Sequence, residues 1–178
     1  MSLREKAAKI KLLILDMDGV MTNGQLYVGD DKTIHRRYSV LDGQAILWLQ
    51  EAGIKVAIIT TCRSEVVAFR AAMLKITHVY QVQDKLNAYL DLIEKLQLRP
   101  EEVAYIGDDL PDLAIIRQVG LGITVPNAAE IVRAHSVWCT EKAGGNGAIR
   151  EVCEFLMQAQ GTFKTLLQQY HCDELDDD

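Results

Sequence analysis

The sequence predicts an α/β fold: a doubly wound parallel sheet of Rossmann-like type. Three observations point there. Short aliphatic runs at residues 12–15, 54–59 and 103–106 suit strands covered on both faces. Segments of helical length, with apolar residues at three- and four-residue spacing, alternate with those runs. Acidic or hydroxyl residues follow directly after the runs, at the edge where open α/β sheets bind ligands. The 178 residues fit a single domain over 1–178.

Residues 4–10, REKAAKI, read as a charged lead-in, and residues 1–3 contribute nothing to the reading. The first strand, 12–15, runs into Asp16-Met17-Asp18-Gly19. Strand side chains alternate, so Asp16 and Asp18 share a face if the extended backbone persists through Met17; Gly19 then releases the chain into a turn. Residues 25–28 and 33–40 form a β-hairpin around Gly29-Asp30-Asp31-Lys32. It follows the acidic pair and is placed to act as a flap over a small ligand. A helix over 41–52 carries Ala45, Leu49 and Ala52 in a stripe beside Ile46 and Trp48, and Gly53 ends it.

The strand at 54–59 exits through Thr60-Thr61-Cys62-Arg63, and Ser64 caps a helix to about Leu74. Hydroxyls ahead of a helix N-terminus offer donors to an anion. A short strand at 78–81 precedes Asp84, which caps a helix over 85–96. Lys85 then sits in the first turn, against the helix dipole, a placement that makes sense if its ammonium meets a phosphate or carboxylate. The strand at 103–106 ends in Gly107-Asp108-Asp109-Leu110-Pro111-Asp112, with Pro111 in the first turn of a helix to Gln118. Asp108, Asp109 and Asp112 exceed what one helix cap needs, and a divalent cation accounts for the surplus. A strand at 121–125, a helix at 128–134, a strand at 136–139, a glycine-rich loop at 143–147 and a helix over 148–160, continued through 162–170, complete the order. The tail HCDELDDD, 171–178, is acidic and expected to be disordered at its end.

The composition, 49% hydrophobic and 25% charged, is that of an ordinary globular protein. A net charge of −6 and the lack of a basic run argue against nucleic acid as a partner. No apolar stretch approaches the roughly 20 residues of a membrane span, and no signal peptide precedes the first strand, so the expected compartment is the cytoplasm. Cys62, Cys139, Cys153 and Cys172 show no CxxC or Cys/His pairing and read as reduced thiols.

Asp16, Asp18, Thr60, Lys85, Asp108, Asp109 and Asp112 all fall at strand exits or helix starts along one sheet edge. Carboxylates from two strands suit a hard cation such as Mg²⁺ with room for phosphate oxygens. A cation and hydroxyl beside it would hold the phosphate, and a carboxylate aimed at phosphorus can attack it while its neighbour handles protons.

DMDGVMT, the strand end at Thr60, Lys85 and GDDLPD resemble the four ordered motifs of the haloacid dehalogenase superfamily of phosphohydrolases. The absence of an inserted cap domain, the hairpin after the first motif, YSVLDG, ITHVYQ and AGGNGAIREVC resemble its capless 3-deoxy-D-manno-octulosonate 8-phosphate phosphatases. The resemblance implies hydrolysis of a sugar-acid phosphate in lipopolysaccharide precursor synthesis, by homotetramers whose subunits complete one another's sites. It implies Asp16 as nucleophile and Asp18 as general acid, then base. Mg²⁺ would be held by Asp16, the Asp18 backbone carbonyl and Asp108, with Asp109 and Asp112 behind them. Thr60 and Lys85 would hold the phosphoryl oxygens, and Ser39, Val40, Leu41, Asp42, Gly43, Arg63 and Arg70 would reach the sugar acid. The sequence departs from the family pattern in the second motif, commonly Thr-Gly-Arg, where Cys62 precedes an arginine shifted one place to Arg63. Leu47 stands where an arginine is frequent and Asn23 where an aspartate is. A nonulosonate 9-phosphate is the alternative substrate; a phosphoacceptor signalling domain and a non-catalytic scaffold are the rival classes.

Overall fold

Six parallel strands form the sheet that positions the candidate side chains in the computed structural model, which describes residues 1–172. The chain runs α1 (Leu3–Ala7), β1 (Leu12–Leu15), β2 (Tyr27–Val28), β3 (Ile34–His35), α2 (Val40–Glu51), β4 (Lys55–Thr60), α3 (Glu65–Met73) and β5 (His78–Gln81). It continues through α4 (Lys85–Lys95), β6 (Val103–Gly107), α5 (Leu110–Ile116), β7 (Leu121–Thr124), α6 (Glu130–His135), β8 (Trp138–Cys139), α7 (Ala148–Ala159) and α8 (Phe163–Gln169). The sheet order is β5-β4-β1-β6-β7-β8. The chain builds outward from β1 through β4 to β5, then crosses to β6 and builds the other way. The order therefore reverses beside β1, where a crevice opens at the carboxyl ends.

All four β1 residues are fully buried, which explains the uninterrupted aliphatic run. Helices α1, α2 and α7 pack together on one side, while α4, α5 and α6 form the other layer. Each buried Leu or Ile of β1 contributes at most about 1.5–3 kcal/mol on leaving water. That anchorage holds in place a strand end whose acids are costly to bury.

Several boundaries differ from the sequence expectation for identifiable reasons. The lead-in is a helix, α1, because Ser2 and Glu5 form a reciprocal capping box, so residues 1–3 do contribute. The hairpin strands shrink to β2 and β3, paired only as Tyr27 with His35 and Val28 with Ile34. Beyond them Thr22 bridges Tyr38, and Ser39 leaves the strand path to cap α2 through the Asp42 amide, 3.2 Å. Strand β8 is two residues long. Gly161, at φ +74°, stops α7 and separates it from α8. The acidic end of the tail, 173–178, lies outside the described residues.

Candidate active site

The first acidic pair sits where β1 ends. Asp16 keeps an extended backbone and its amide donates to the Ile106 carbonyl at 3.0 Å, tying it to β6. Met17 is buried, Asp18 remains extended, and Gly19 turns at φ +92°. A Cβ at Gly19 would lie 1.9 Å from Asp108 Oδ2, so glycine is required both for the turn and for the approach of Asp108. Thr22 steadies this turn, its Oγ1 accepting from the Gly19 and Gly24 amides at 3.2 Å each.

The second cluster comes from β6 and α5. Asp109 caps α5, and Asp112 three residues on completes the capping box. Asp112 is 1% exposed and saturated: Oδ2 accepts from the Asp108 and Asp109 amides at 3.0 and 3.2 Å. Its Oδ1 accepts from the Tyr105 hydroxyl at 2.5 Å and from Lys85 Nζ at 2.7 Å. Lys85 also donates to Asp16 Oδ1 at 2.6 Å. The N-terminal turn of α4 thus drives the ammonium of a 4% exposed lysine between Asp16, at the end of β1, and Asp112, in the first turn of α5.

Crowding of the carboxylates sets their proton affinity. Burial, and then the Asp112 charge, push Asp16 up to about 8 against the pull of Lys85. Burial and Asp112 likewise raise Asp108 to about 6. Burial opposes the charge on Lys85, but Asp16 and Asp112 outweigh it and hold its pKa above the usual value. Oxygens of Asp16, Asp108 and Asp112 lie within 4.8 Å of one another. With Asp112 saturated and Asp16 Oδ1 held by Lys85, the second oxygen of Asp16 and the Asp108 carboxylate remain as ligand donors, and an all-carboxylate pair suits a hard divalent cation such as Mg²⁺.

A cavity of about 160 Å³ is lined by Asp16, Asp18, Thr60, Thr61, Lys85, Asp108, Asp109, Pro111 and Asp112. Thr60 is buried at the end of β4, and its Oγ1 accepts from the Cys62 amide at 3.0 Å. The five acids, the Thr60 hydroxyl and the lysine singled out at strand exits and helix starts therefore line one cavity. The expected sugar contacts lie elsewhere. Arg63 is exposed and is not among the lining residues. Ser39, Val40, Leu41, Asp42 and Gly43 open α2, and Arg70 of α3 folds onto them, donating to the Ser39 carbonyl at 3.3 Å and covering the Tyr38 ring at 5.2 Å. Val40 and Leu41 are exposed. Asp42 is buried and faces the start of α7, where it accepts from the Gly147 and Arg150 amides at 3.3 and 2.8 Å, a helix-capping role in place of a free contact.

The haloacid dehalogenase-like hydrolase model matches residues 28–120. The 3-deoxy-D-manno-octulosonate 8-phosphate phosphatase of Escherichia coli K12 is 45% identical over 157 residues, covering 88% of this chain and 84% of the relative. The chain belongs to the haloacid dehalogenase-like hydrolases. Among solved structures of this family, the corresponding phosphatase from Moraxella catarrhalis, in complex with magnesium, phosphate and KDO, superposes with a TM-score of 0.91 at 42% identity. That match covers 94% of this chain and 97% of the other. The Yersinia pestis phosphatase gives 0.89 at 42% identity, covering 91% and 88%.

Three residues of this haloacid dehalogenase-like site carry no sequence signal of their own. Tyr105 reads as core within β6, yet its buried hydroxyl orients Asp112. Asn127 joins the first-motif turn to the glycine-rich loop, donating to the Gly19 carbonyl at 2.9 Å and accepting from the Gly144 amide at 2.8 Å. Arg36, from the hairpin, donates to Asp18 through Nε at 2.8 Å and Nη2 at 3.3 Å, and Nη2 is 3.2 Å from Cys62 Sγ. The hydrogen bond to Asp18 raises the Arg36 pKa further.

Proposed function

We propose that this chain is a Mg²⁺-dependent phosphatase that hydrolyses 3-deoxy-D-manno-octulosonate 8-phosphate to the free sugar acid and phosphate. The observation that carries the reading is Asp16: a carboxylate at the carboxyl end of the central strand, with Oδ1 fixed by Lys85 and Asp18 and Thr60 on the same cavity. Its support is the 45% identity to a phosphatase named for that substrate.

Asp16 attacks phosphorus through Oδ2, the bond to the sugar oxygen breaks, and Asp18 gives that oxygen a proton. Asp18, now ionised, takes a proton from water, which attacks the aspartyl phosphate and restores Asp16. Lys85 and the Thr60 hydroxyl hold the phosphoryl oxygens through both halves. Asp16, the Asp18 carbonyl and Asp108 would hold Mg²⁺, with Asp109 and Asp112 behind them, and the bound cation would supply positive charge to the phosphoryl group. The chain acts as one catalytic domain in this reading.

Its partners are completed by assembly into a homotetramer. Leu26, Tyr27, Val28 and Ile34 expose apolar surface on the hairpin, and Val40 and Leu41 expose more at the start of α2. Such a patch suits burial between copies, and would bring Ser39–Gly43 and Arg70 of one subunit toward the cavity of another. The cytoplasm is the proposed compartment, which the four free thiols suit.

The test is phosphate release, with and without Mg²⁺, from 3-deoxy-D-manno-octulosonate 8-phosphate, nonulosonate 9-phosphates and simple sugar phosphates. Preference for the octulosonate ester, lost in Asp16→Asn, is the expected result. Preference for a nonulosonate ester would move the substrate while keeping the chemistry, and Cys62 with an outward Arg63 is the departure that would underlie it. Undiminished turnover in Asp16→Asn would refute the nucleophile.

A further inference from the structure

We infer that Arg36 is a positioning residue for the general acid, a guanidinium carried by the hairpin that aims Asp18 at the leaving-group oxygen. The inference rests on the proposed phosphatase chemistry and adds a part to it. Arg36 rises from a hairpin whose neighbouring side chains face outward, with Val28 at 68% and Ile34 at 49% exposure, yet its own side chain is only 11% exposed. It turns inward because the stem of the hairpin is pinned immediately after it. Arg37 donates to the Gly145 carbonyl at 3.4 Å and to Asn146 Oδ1, while Tyr38 bridges Thr22 and sets its hydroxyl 3.4 Å from Met17 Sδ. Next to these anchors the guanidinium meets both oxygens of Asp18, a two-point grip that fixes the plane of the carboxyl as a single contact cannot.

The cation that lines the cavity itself is committed: Lys85 is locked between Asp16 and Asp112. Thr22 Oγ1, at 3.5 Å, offers Asp18 only a long contact. Orientation of Asp18 therefore falls to Arg36. During phosphoryl transfer the electron pair of the breaking P–O bond goes to the sugar oxygen, and the Asp18 proton follows it. The phosphoryl group ends on Asp16, and Asp18 is left as a carboxylate facing the guanidinium. The pairing strengthens as that charge forms, so it favours the transition state over the bound ester.

The leaving group separates this role from a structural one. A sugar alkoxide needs a proton to depart, whereas p-nitrophenolate does not. Arg36→Met and Arg36→Lys are compared with wild type on the octulosonate ester and on p-nitrophenyl phosphate at saturating Mg²⁺. General acid catalysis is typically worth about 10²–10⁴-fold, so loss of aim in Arg36→Met should lower kcat/KM for the sugar ester by about 10–100-fold. The aryl ester should fall by less than about threefold, and Arg36→Lys, with charge but no fork, should lie between. Inhibition by the free sugar acid should be weakened by less than about twofold, since no binding contact is removed. An equal fall on both esters would overturn the inference in favour of a structural role, and a loss of sugar-acid inhibition matching the loss of kcat/KM would overturn it in favour of substrate binding. If wild type ignores the octulosonate ester, the substrate assignment fails by itself. The comparison is then read on whichever alkyl phosphate of the panel wild type hydrolyses.

Discussion

Replacing Lys85 by Met tests the centre of the site, and the structure gives the sign and size of the effect. Lys85 Nζ lies 2.6 Å from Asp16 and 2.7 Å from Asp112 in a setting where the lysine is 4% exposed. Removing one member of a buried ion cluster typically costs about 3–5 kcal/mol, because the partners keep their burial and lose their compensation. Protonation offers an escape. Asp16 already binds a proton up to about pH 8 in the folded state, against 3.8 as the ordinary value. An acid whose folded pKa is raised keeps a proton that the unfolded chain has released, so stability falls as pH climbs through that window. Without Lys85 the folded pKa of Asp16 rises further, which extends the falling window above pH 8. The gap between wild type and Lys85→Met is therefore largest on the alkaline side. Metal-free protein unfolded in urea should show a deficit of about 3–5 kcal/mol at pH 8.5 and a clearly smaller one at pH 6. At about 2–4 °C per kcal/mol for a chain of this size, the alkaline deficit corresponds to roughly 6–20 °C in Tm. Phosphate release should fall by about 10²-fold or more, as for loss of one preorganised donor to a developing anion. Equal stability of the two proteins at pH 8.5, or a gap that widens toward pH 6, would refute the placement of a charged lysine between two acids.

Two further predictions concern the cation. Gly19→Ala should raise the Mg²⁺ concentration needed for half-maximal activity, because its Cβ would meet Asp108 Oδ2 at 1.9 Å, and should cost about 1–2 kcal/mol for a non-glycine residue at φ +92°; unchanged Mg²⁺ dependence would remove Asp108 from the metal site. Binding of Mg²⁺ should release protons and tighten from pH 6 to pH 8, as the site must give up the protons that Asp16 holds to about 8 and Asp108 to about 6. Calorimetry in buffers of different ionisation enthalpy measures that release, and a pH-independent affinity would contradict it.

The parts of the molecule legible in the sequence are those where one local pattern has one meaning. Strands buried on both faces, such as β1, leave aliphatic runs that few other structures need, and the acids directly after them inherit a place at the sheet edge. Lys85 stood out because its position in a first turn is locally unfavourable and needed an external reason, which Asp16 and Asp112 supply. The hairpin was legible as a turn but not as a register. Only two residue pairs hold it together, and whether Arg36 or Arg37 faces Asp18 depends on the Thr22–Tyr38 bridge and on the glycine-rich loop more than 100 residues away. Tyr105 was hidden for the opposite reason: in a buried strand a tyrosine looks like bulk, and only the fold shows that its hydroxyl reaches Asp112. Asp42 lies in a first turn like Lys85, but its partners are the amides of a helix more than 100 residues later, a contact no local pattern reveals.

Charge balance links these observations. Asp16, Asp18, Asp108, Asp109 and Asp112 surround one cavity, opposed by Lys85 and Arg36. An entering phosphate dianion would meet net repulsion, and the cavity meanwhile keeps a proton on Asp16 at neutral pH. Both obstacles have the same origin, the crowding of carboxylates at low exposure, and both are relieved by the same added positive charge. Asp16 therefore becomes an ionised nucleophile under the condition that also admits the phosphate. A cavity with fewer acids would bind phosphate without a cation, but its nucleophile would be charged and reactive whether or not the transferring group could be stabilised.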